Sequence, residues 1–202
     1  MSTLGILSSK GGVGKTFLAV NLSLAFQRLG ERTLLVDADT SAGHVGLHVG
    51  EYSFSYTLQD ALRSGNVLWM SKNDLNFIPS SLSVDTLRSI SRLRHLIVKA
   101  QHYASFIVID GPPGITNDTV SVVDACDDII VMGTPDIPTI SNLIKLVHLI
   151  RKKKKTVLGI VLNRVHADVH DLPIEKIESV CESRVISVIP EDTQVRKSIA
   201  AT

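Results

Sequence analysis

Apolar and polar positions fall in blocks along this chain. Short apolar runs occur at 3–7, 33–36, 75–78, 106–109, 129–132, 157–162 and 185–189. Most are continuous, which fits strands covered on both faces. Between them lie stretches with helical spacing, at 15–29, 58–63, 84–103, 118–126, 137–152 and 173–181. Gly30 suits the left-handed position just past the first of these. Asn117 or Asp118 is placed to cap the fourth, and Pro173 takes a permitted first-turn position in the last. The rhythm predicts an α/β fold of three layers, with a mainly parallel central sheet flanked by helices. Right-handed crossovers then bring the strand C-terminal ends to one edge, where such sheets bind ligands. Residues 41–56 break the rhythm. They carry three glycines and the aromatics Tyr52, Phe54 and Tyr56, and read as a loop or switch.

Composition narrows the class. The chain has 202 residues, 44% of them apolar and 20% charged, with a formal charge of +1. These values fit one globular domain over 1–202 and exclude a disordered chain, a fibre or a disulfide scaffold. Aromatics are only 4%, so the core is built from Val, Ile and Leu. Cys126 and Cys181 form no CxxC pair, and a reduced, cytoplasmic setting is expected. The N-terminus lacks the basic and apolar regions of a signal peptide. No apolar stretch approaches the ~18 residues of a membrane span. Near-neutral charge gives no reason to expect DNA binding by the whole surface.

The strongest chemical signal runs from Ser8 to Thr16, as Ser-Ser-Lys-Gly-Gly-Val-Gly-Lys-Thr. It follows a predicted strand and opens a predicted helix, the context of a phosphate loop. Gly11, Gly12 and Gly14, with Val13 between them, let successive backbone N–H groups face phosphate oxygens. The helix N-terminus adds positive charge. Lys15 would neutralise β- and γ-phosphate charge, and the Thr16 hydroxyl would serve Mg²⁺, which takes oxygen ligands. Asp37 closes one apolar run, Asp39 follows it, and Asp110 closes another. All three are expected at strand C-terminal ends beside the loop. That is where Mg²⁺ carboxylates and a water-positioning group are needed.

The segment Lys10 to Thr16 resembles the deviant Walker A motif of the MinD/ParA ATPases, a group of P-loop NTPases. Ser9 stands where the general P-loop pattern has glycine, a position that varies in this family. The resemblance covers nearly the whole chain. It implies that Lys10 reaches the phosphates of a partner's nucleotide across a homodimer interface. It implies that Asp39, second in the family's DxD, orients the attacking water, while Asp37 and Asp110 act on Mg²⁺ through water. Lys10, Lys15 and Asp39 are therefore the catalytic candidates. The stretch Asp110-Gly111-Pro112-Pro113-Gly114 looks like switch II, with motion hinged around Gly111 and Gly114. Asn163 and Arg164 match the adenine-binding turn, and Pro190, Glu191 and Asp192 the main-chain contacts to the base. Phe17 departs from the family, where a second threonine is common, so only its backbone N–H would serve the nucleotide.

The resemblance further implies an ATPase with ATP, ADP and Mg²⁺ as ligands. It would cycle between an ATP-bound dimer and an ADP-bound monomer to position a division site, a chromosome or plasmid, or a surface machine. A regulatory protein would stimulate hydrolysis. A membrane surface or DNA would be the second platform, with localisation at the inner membrane face if an anchor exists. The chain is expected to lack the family's C-terminal helices and membrane-targeting tail. The alternatives are a DNA partition ATPase, an ATP sensor with little turnover and a metabolic enzyme on the same fold. The basic run 151–155 suits a helix C-terminus, and could instead contact DNA or anionic lipid. The pairs His44/His48 and His166/His170 have metal-compatible spacing but no third ligand.

Overall fold

The computed structural model describes residues 1–41, 43–83, 89–166 and 171–195. Eight strands form one sheet: β1 (Ser2–Ser8), β2 (Thr33–Asp37), β3 (Met70–Lys72), β4 (Leu75–Ile78), β5 (Phe106–Pro113), β6 (Asp128–Gly133), β7 (Thr156–Val165) and β8 (Val185–Pro190). Their order is β3-β4-β2-β5-β1-β6-β7-β8, parallel except for the β3–β4 hairpin. From β1 the chain goes out through β2 to β3 and β4, returns to β5 between β2 and β1, and then adds β6, β7 and β8 on the other side. That reversal creates the crevice at the strand C-terminal ends where this sheet type takes its ligand.

Seven helices cover the two faces among the described residues. α1 (Lys15–Arg28) and α2 (Val45–His48) pack on one side, where Ala19, Val20, Val45 and Val49 meet Ile6, Leu35 and Val108. α3 (Leu58–Ser64), α4 (Leu93–Ala100), α5 (Asn117–Ala125), α6 (Ile137–Lys152) and α7 (Ile174–Cys181) pack on the other. Alternate residues of each central strand feed the two cores: Leu34, Val36, Ile107 and Ile109 face one, Leu35 and Val108 the other. Continuous apolar runs are the sequence consequence of this double burial. Each such side chain is worth roughly 1.5–3 kcal/mol when fully buried.

Five expectations need correction. The helix expected over 84–103 is α4 alone; 84–88 lie outside the described residues. Ahead of α4 the backbone donors bond side chains instead: Ile90 N–H to Asp118 Oδ1 at 3.4 Å and Ser91 N–H to Ser89 Oγ at 3.3 Å. Side-chain acceptors of this kind compete with helix formation. The span 41–56 contains the ordered turn α2, and Phe54 fills the space over Gly46, where a Cβ would lie 2.3 Å from its ring. β5 runs on to Pro113, so Asp110 sits within a strand and not at its end. Thr116 caps α5 through a capping box with Thr119, leaving Asp118 for another role. Pro173 is the N-cap of α7, one residue before the first turn. No described helix is long and apolar enough to cross a membrane.

Candidate functional site

The C-terminal edge of β1 carries the site. Beyond Ser8 the chain turns through residues 9–14 into α1. Gly12 and Gly14 take left-handed φ values of 74° and 101°, which side chains resist. Gly14 is doubly constrained, because a Cβ there would lie 2.4 Å from Asn163 Nδ2. Lys15 is only 7% exposed, and burial lowers its pKa against the opposing pull of Asp110, Asp39 and Asp37. The Val13 side chain is buried in the core, so this residue offers the loop only its backbone.

Beneath the loop three buried carboxylates converge. The Thr16 hydroxyl donates to Asp110 Oδ2 at 2.6 Å. Asp110 Oδ1 is buried without a hydrogen-bond partner. Burial drives the Asp110 pKa up to about 7, with Thr16 and Lys15 opposing and Asp39 reinforcing. Asp37 is fully buried; its Oδ1 accepts from Asp39 N–H at 3.1 Å and its Oδ2 from Val45 N–H at 3.0 Å. Burial and the Asp110 charge raise its pKa well above the carboxylate range, while the two backbone donors work the other way. Asp37 thus anchors the loop that leads into α2. Asp39 Oδ1 accepts from the backbone and hydroxyl of Ser41 at 3.1 and 2.6 Å.

With all three acids ionised, a single ammonium leaves this cluster short of positive charge, which is why burial raises the pKa values of Asp37 and Asp110. An orphaned, buried carboxylate oxygen beside a threonine hydroxyl fits a hard divalent cation with oxygen ligands. Among the described residues, no His/Cys/Asp/Glu group would by itself enclose a metal. The cation therefore needs further oxygens, such as those of phosphate and water.

A cavity of about 450 Å³ opens over the loop. Its walls include Lys15, Thr16, Phe17 and Asp39 at one end, and Asn163, Arg164, Pro190, Glu191 and Asp192 at the other. Asn163 Nδ2 donates to Val13 O at 2.7 Å, which ties the far end to the phosphate loop. The Arg164 guanidinium lies 3.6 Å from Glu191, with Arg164 in a left-handed conformation at a break in the β7–β8 register. Lys10 is exposed and outside this cavity. His44 and His48, weighed as metal ligands by spacing, are cavity walls; His48 Nδ1 lies 2.9 Å from His44 O. His170 lies outside the described residues. Pro113, from the stretch that looks like switch II, also lines the cavity, as does Ile189, which no motif had marked.

A family model for the CobQ/CobB/MinD/ParA nucleotide binding domain matches residues 4–201. The chain belongs to this family. It is similar to an ATP-binding protein of uncharacterized function from Methanocaldococcus jannaschii, with 29% identity over 98% of this chain and 77% of that one. MinD of Pyrococcus horikoshii, solved with Mg-ADP, superposes with a TM-score of 0.90 at 26% identity, over 99% of this chain and 85% of that one. The cell division ATPase MinD of Pyrococcus furiosus gives a TM-score of 0.90 at 28% identity, over 99% and 87%. Family membership accounts for the fold and the phosphate loop.

Proposed function

We propose that the protein is a Mg²⁺-dependent ATPase that pairs with a second copy in its ATP state, separates after hydrolysis and so positions cellular components. The observation carrying this reading is the oxygen cluster of Thr16, Asp110, Asp37 and Asp39, with one orphaned carboxylate oxygen, directly beneath a phosphate loop. Thr16 and Asp110 would hold Mg²⁺, with Asp37 acting through water. The bound ion would supply positive charge to the phosphates. Lys15 and the loop N–H groups would carry the remaining phosphate charge, an electrostatic arrangement set before reaction begins. Asp39, in the cavity wall, would orient the attacking water.

Asn163, Arg164 and the turn 190–192 would hold the base. One amide hydrogen of Asn163 is committed to Val13 O, leaving Oδ1 and the second hydrogen for an adenine edge. The Phe17 side chain lines the cavity without a hydroxyl to offer. The Mg-ADP held by the Pyrococcus horikoshii relative supports the ligand assignment. Lys10, exposed, outside its own cavity and within the field of Asp136, would serve a facing copy.

Light-scattering mass in Mg·ATP and in Mg·ADP tests the reading, with Asp39→Ala used to slow turnover. The expected result is a mass near twice 21.9 kDa in Mg·ATP alone. A monomer in both states with ATP bound would refute the dimer cycle.

A further inference from the structure

A second recess lies away from the nucleotide cavity, on the opposite helical layer. It is a cleft of about 340 Å³ between α3 and α4. Its rim is cationic, with Arg63, Arg92 and Lys99 and the imidazole of His95 between them, and its floor includes Leu62 and Leu96. Between positions 86 and 109 the sequence has no Asp or Glu. Arg63 is paired with Asp60 at 2.7 Å, and Lys99 Nζ donates to Gly65 O at 2.8 Å. Arg92 and His95 have no carboxylate partner among the described residues. One turn beyond Lys99, Tyr103 meets Trp69 with ring centroids 5.7 Å apart, and both rings are substantially exposed. For a chain of net charge +1 this is a local concentration of positive charge.

Both walls of the cleft are tied to the loop that follows Asp39. On the α4 side, the Thr40 hydroxyl donates to Asp118 Oδ2 at 3.2 Å, and Asp118 Oδ1 accepts from Ile90 N–H at 3.4 Å, two residues before Arg92. On the α3 side, Gly43 sits so close to Ser80 that a Cβ would lie 2.8 Å from it. Ser80 Oγ accepts from Gln59 Nε2 of α3 at 3.0 Å, and Ser81 N–H donates back to Gln59 Oε1 at 2.9 Å. Gln59 and Ser80 are both buried. Thr40 and Gly43 therefore connect the stretch after Asp39 to the segments leading into both helices that frame the cleft.

We propose that the α3–α4 cleft docks an acidic, amphipathic segment of a partner protein, and that Thr40 and Gly43 couple this docking to the nucleotide site. A cationic rim over an apolar floor complements carboxylates flanking leucine-like side chains, read as in other helix-in-groove contacts. The neighbouring aromatic pair extends the contact with the residue types that dominate protein interfaces. A nucleic acid backbone has no group to fill an apolar recess, and a bilayer surface is met by apolar side chains that project. The docking itself is independent of the nucleotide reading. The coupling rests on it.

The probe is a fluorescein-labelled helical peptide of glutamate and leucine, with leucines on one face, followed by anisotropy. Titration without nucleotide tests docking alone. Saturable binding is expected, weakened at least about tenfold by Arg92→Glu and by Lys99→Glu, since like charges repel across an interface. Unchanged circular dichroism and melting confirm that these exposed substitutions leave the fold intact. No saturation, equal binding by a lysine-for-glutamate peptide, or indifference to both substitutions would overturn the proposal. So would duplex DNA or phosphatidylglycerol vesicles that bind through Arg92 and Lys99 when the peptide does not. Titration in Mg·ATP should shift the peptide affinity, and Asp118→Ala should abolish that shift while leaving nucleotide-free binding in place. With ATP binding confirmed, equal affinities in both conditions overturn the coupling. Failure of ATP to bind is instead a failure of the nucleotide reading, and the nucleotide-free titration still decides the docking.

Discussion

Asp110 is stabilised poorly and placed well. Its carboxylate is buried, one oxygen has no partner, and Asp37 and Asp39 lie close enough to shift its titration or share its field. Such a group weakens the empty protein and serves a ligand that brings positive charge. Asp110→Asn keeps an acceptor for the Thr16 hydroxyl while removing one buried negative charge. We expect this variant to melt about 3–6 °C higher in EDTA, from a gain of order 1–2 kcal/mol. The same variant should lose the Mg²⁺ dependence of nucleotide binding. Calorimetric melting with and without Mg·ADP measures both. A variant that melts lower in EDTA would mean that Asp110 contributes structure as an ion, contrary to its raised pKa. The placement of Asp110 beside the phosphate loop was legible from its position after an apolar run. Its orphaned oxygen was not, because that depends on what Asp37 and Thr16 do in three dimensions.

At the scale of elements, the parallel strands were the most legible parts, since burial on both faces writes itself as unbroken apolar runs. Short and bonded segments were less so. β3 is three residues long, and its only sequence mark is the turn Asn73-Asp74, where both residues take positive φ of 51° and 61°. α4 is shorter than its pattern because Asp118 and Ser89 take the backbone donors ahead of it. The stretch 110–114 shows how one residue type can do two jobs. Both Gly111 and Gly114 were expected to act as hinges. Gly111 lies in β5, where a Cβ would sit 2.2 Å from Leu7 Cδ2 and 3.0 Å from Ile6 O. It is there for close packing of β5 on β1. Gly114 has φ of 81° and open space around its Cα, so only its conformation demands glycine. Gly111→Ala should lower stability by about 1–3 kcal/mol through overpacking directly under the phosphate loop. It should also weaken nucleotide binding. Gly114→Ala should lower stability by about 1–2 kcal/mol through left-handed strain and leave the loop beneath Lys15 in place. Urea unfolding paired with nucleotide titration separates the two. Equal loss of nucleotide affinity in both variants would contradict the packing role of Gly111.

At the scale of the whole molecule, one cavity is lined by Lys15, Thr16, Asp39 and the two far turns, with Asp37 and Asp110 buried beside it. Lys10 stands apart, exposed and no part of the cavity wall. A lysine of a phosphate loop that lies outside its own chain's cavity either is a surface charge or belongs to an interface. The two readings separate by concentration. If Lys10 serves a facing copy, turnover per chain should rise with protein concentration as dimers form. Lys10→Ala should remove that rise, lowering the saturated rate by about 10²-fold or more, as expected when one preorganised charge is withdrawn from a phosphoryl transfer. ATP affinity of the isolated chain should stay within about threefold of wild type, because the remaining loop contacts are intact. If Lys10 is only a solvated charge, turnover per chain is the same in both proteins at every concentration. Mixing makes the test sharper. Equal amounts of Lys10→Ala and Asp39→Ala chains form hybrid pairs in which one nucleotide site has its own Asp39 and also receives the partner's Lys10. Such mixtures should recover activity that neither variant has alone. A lysine acting on its own nucleotide cannot produce that recovery, since every chain in the mixture would still lack one of the two groups.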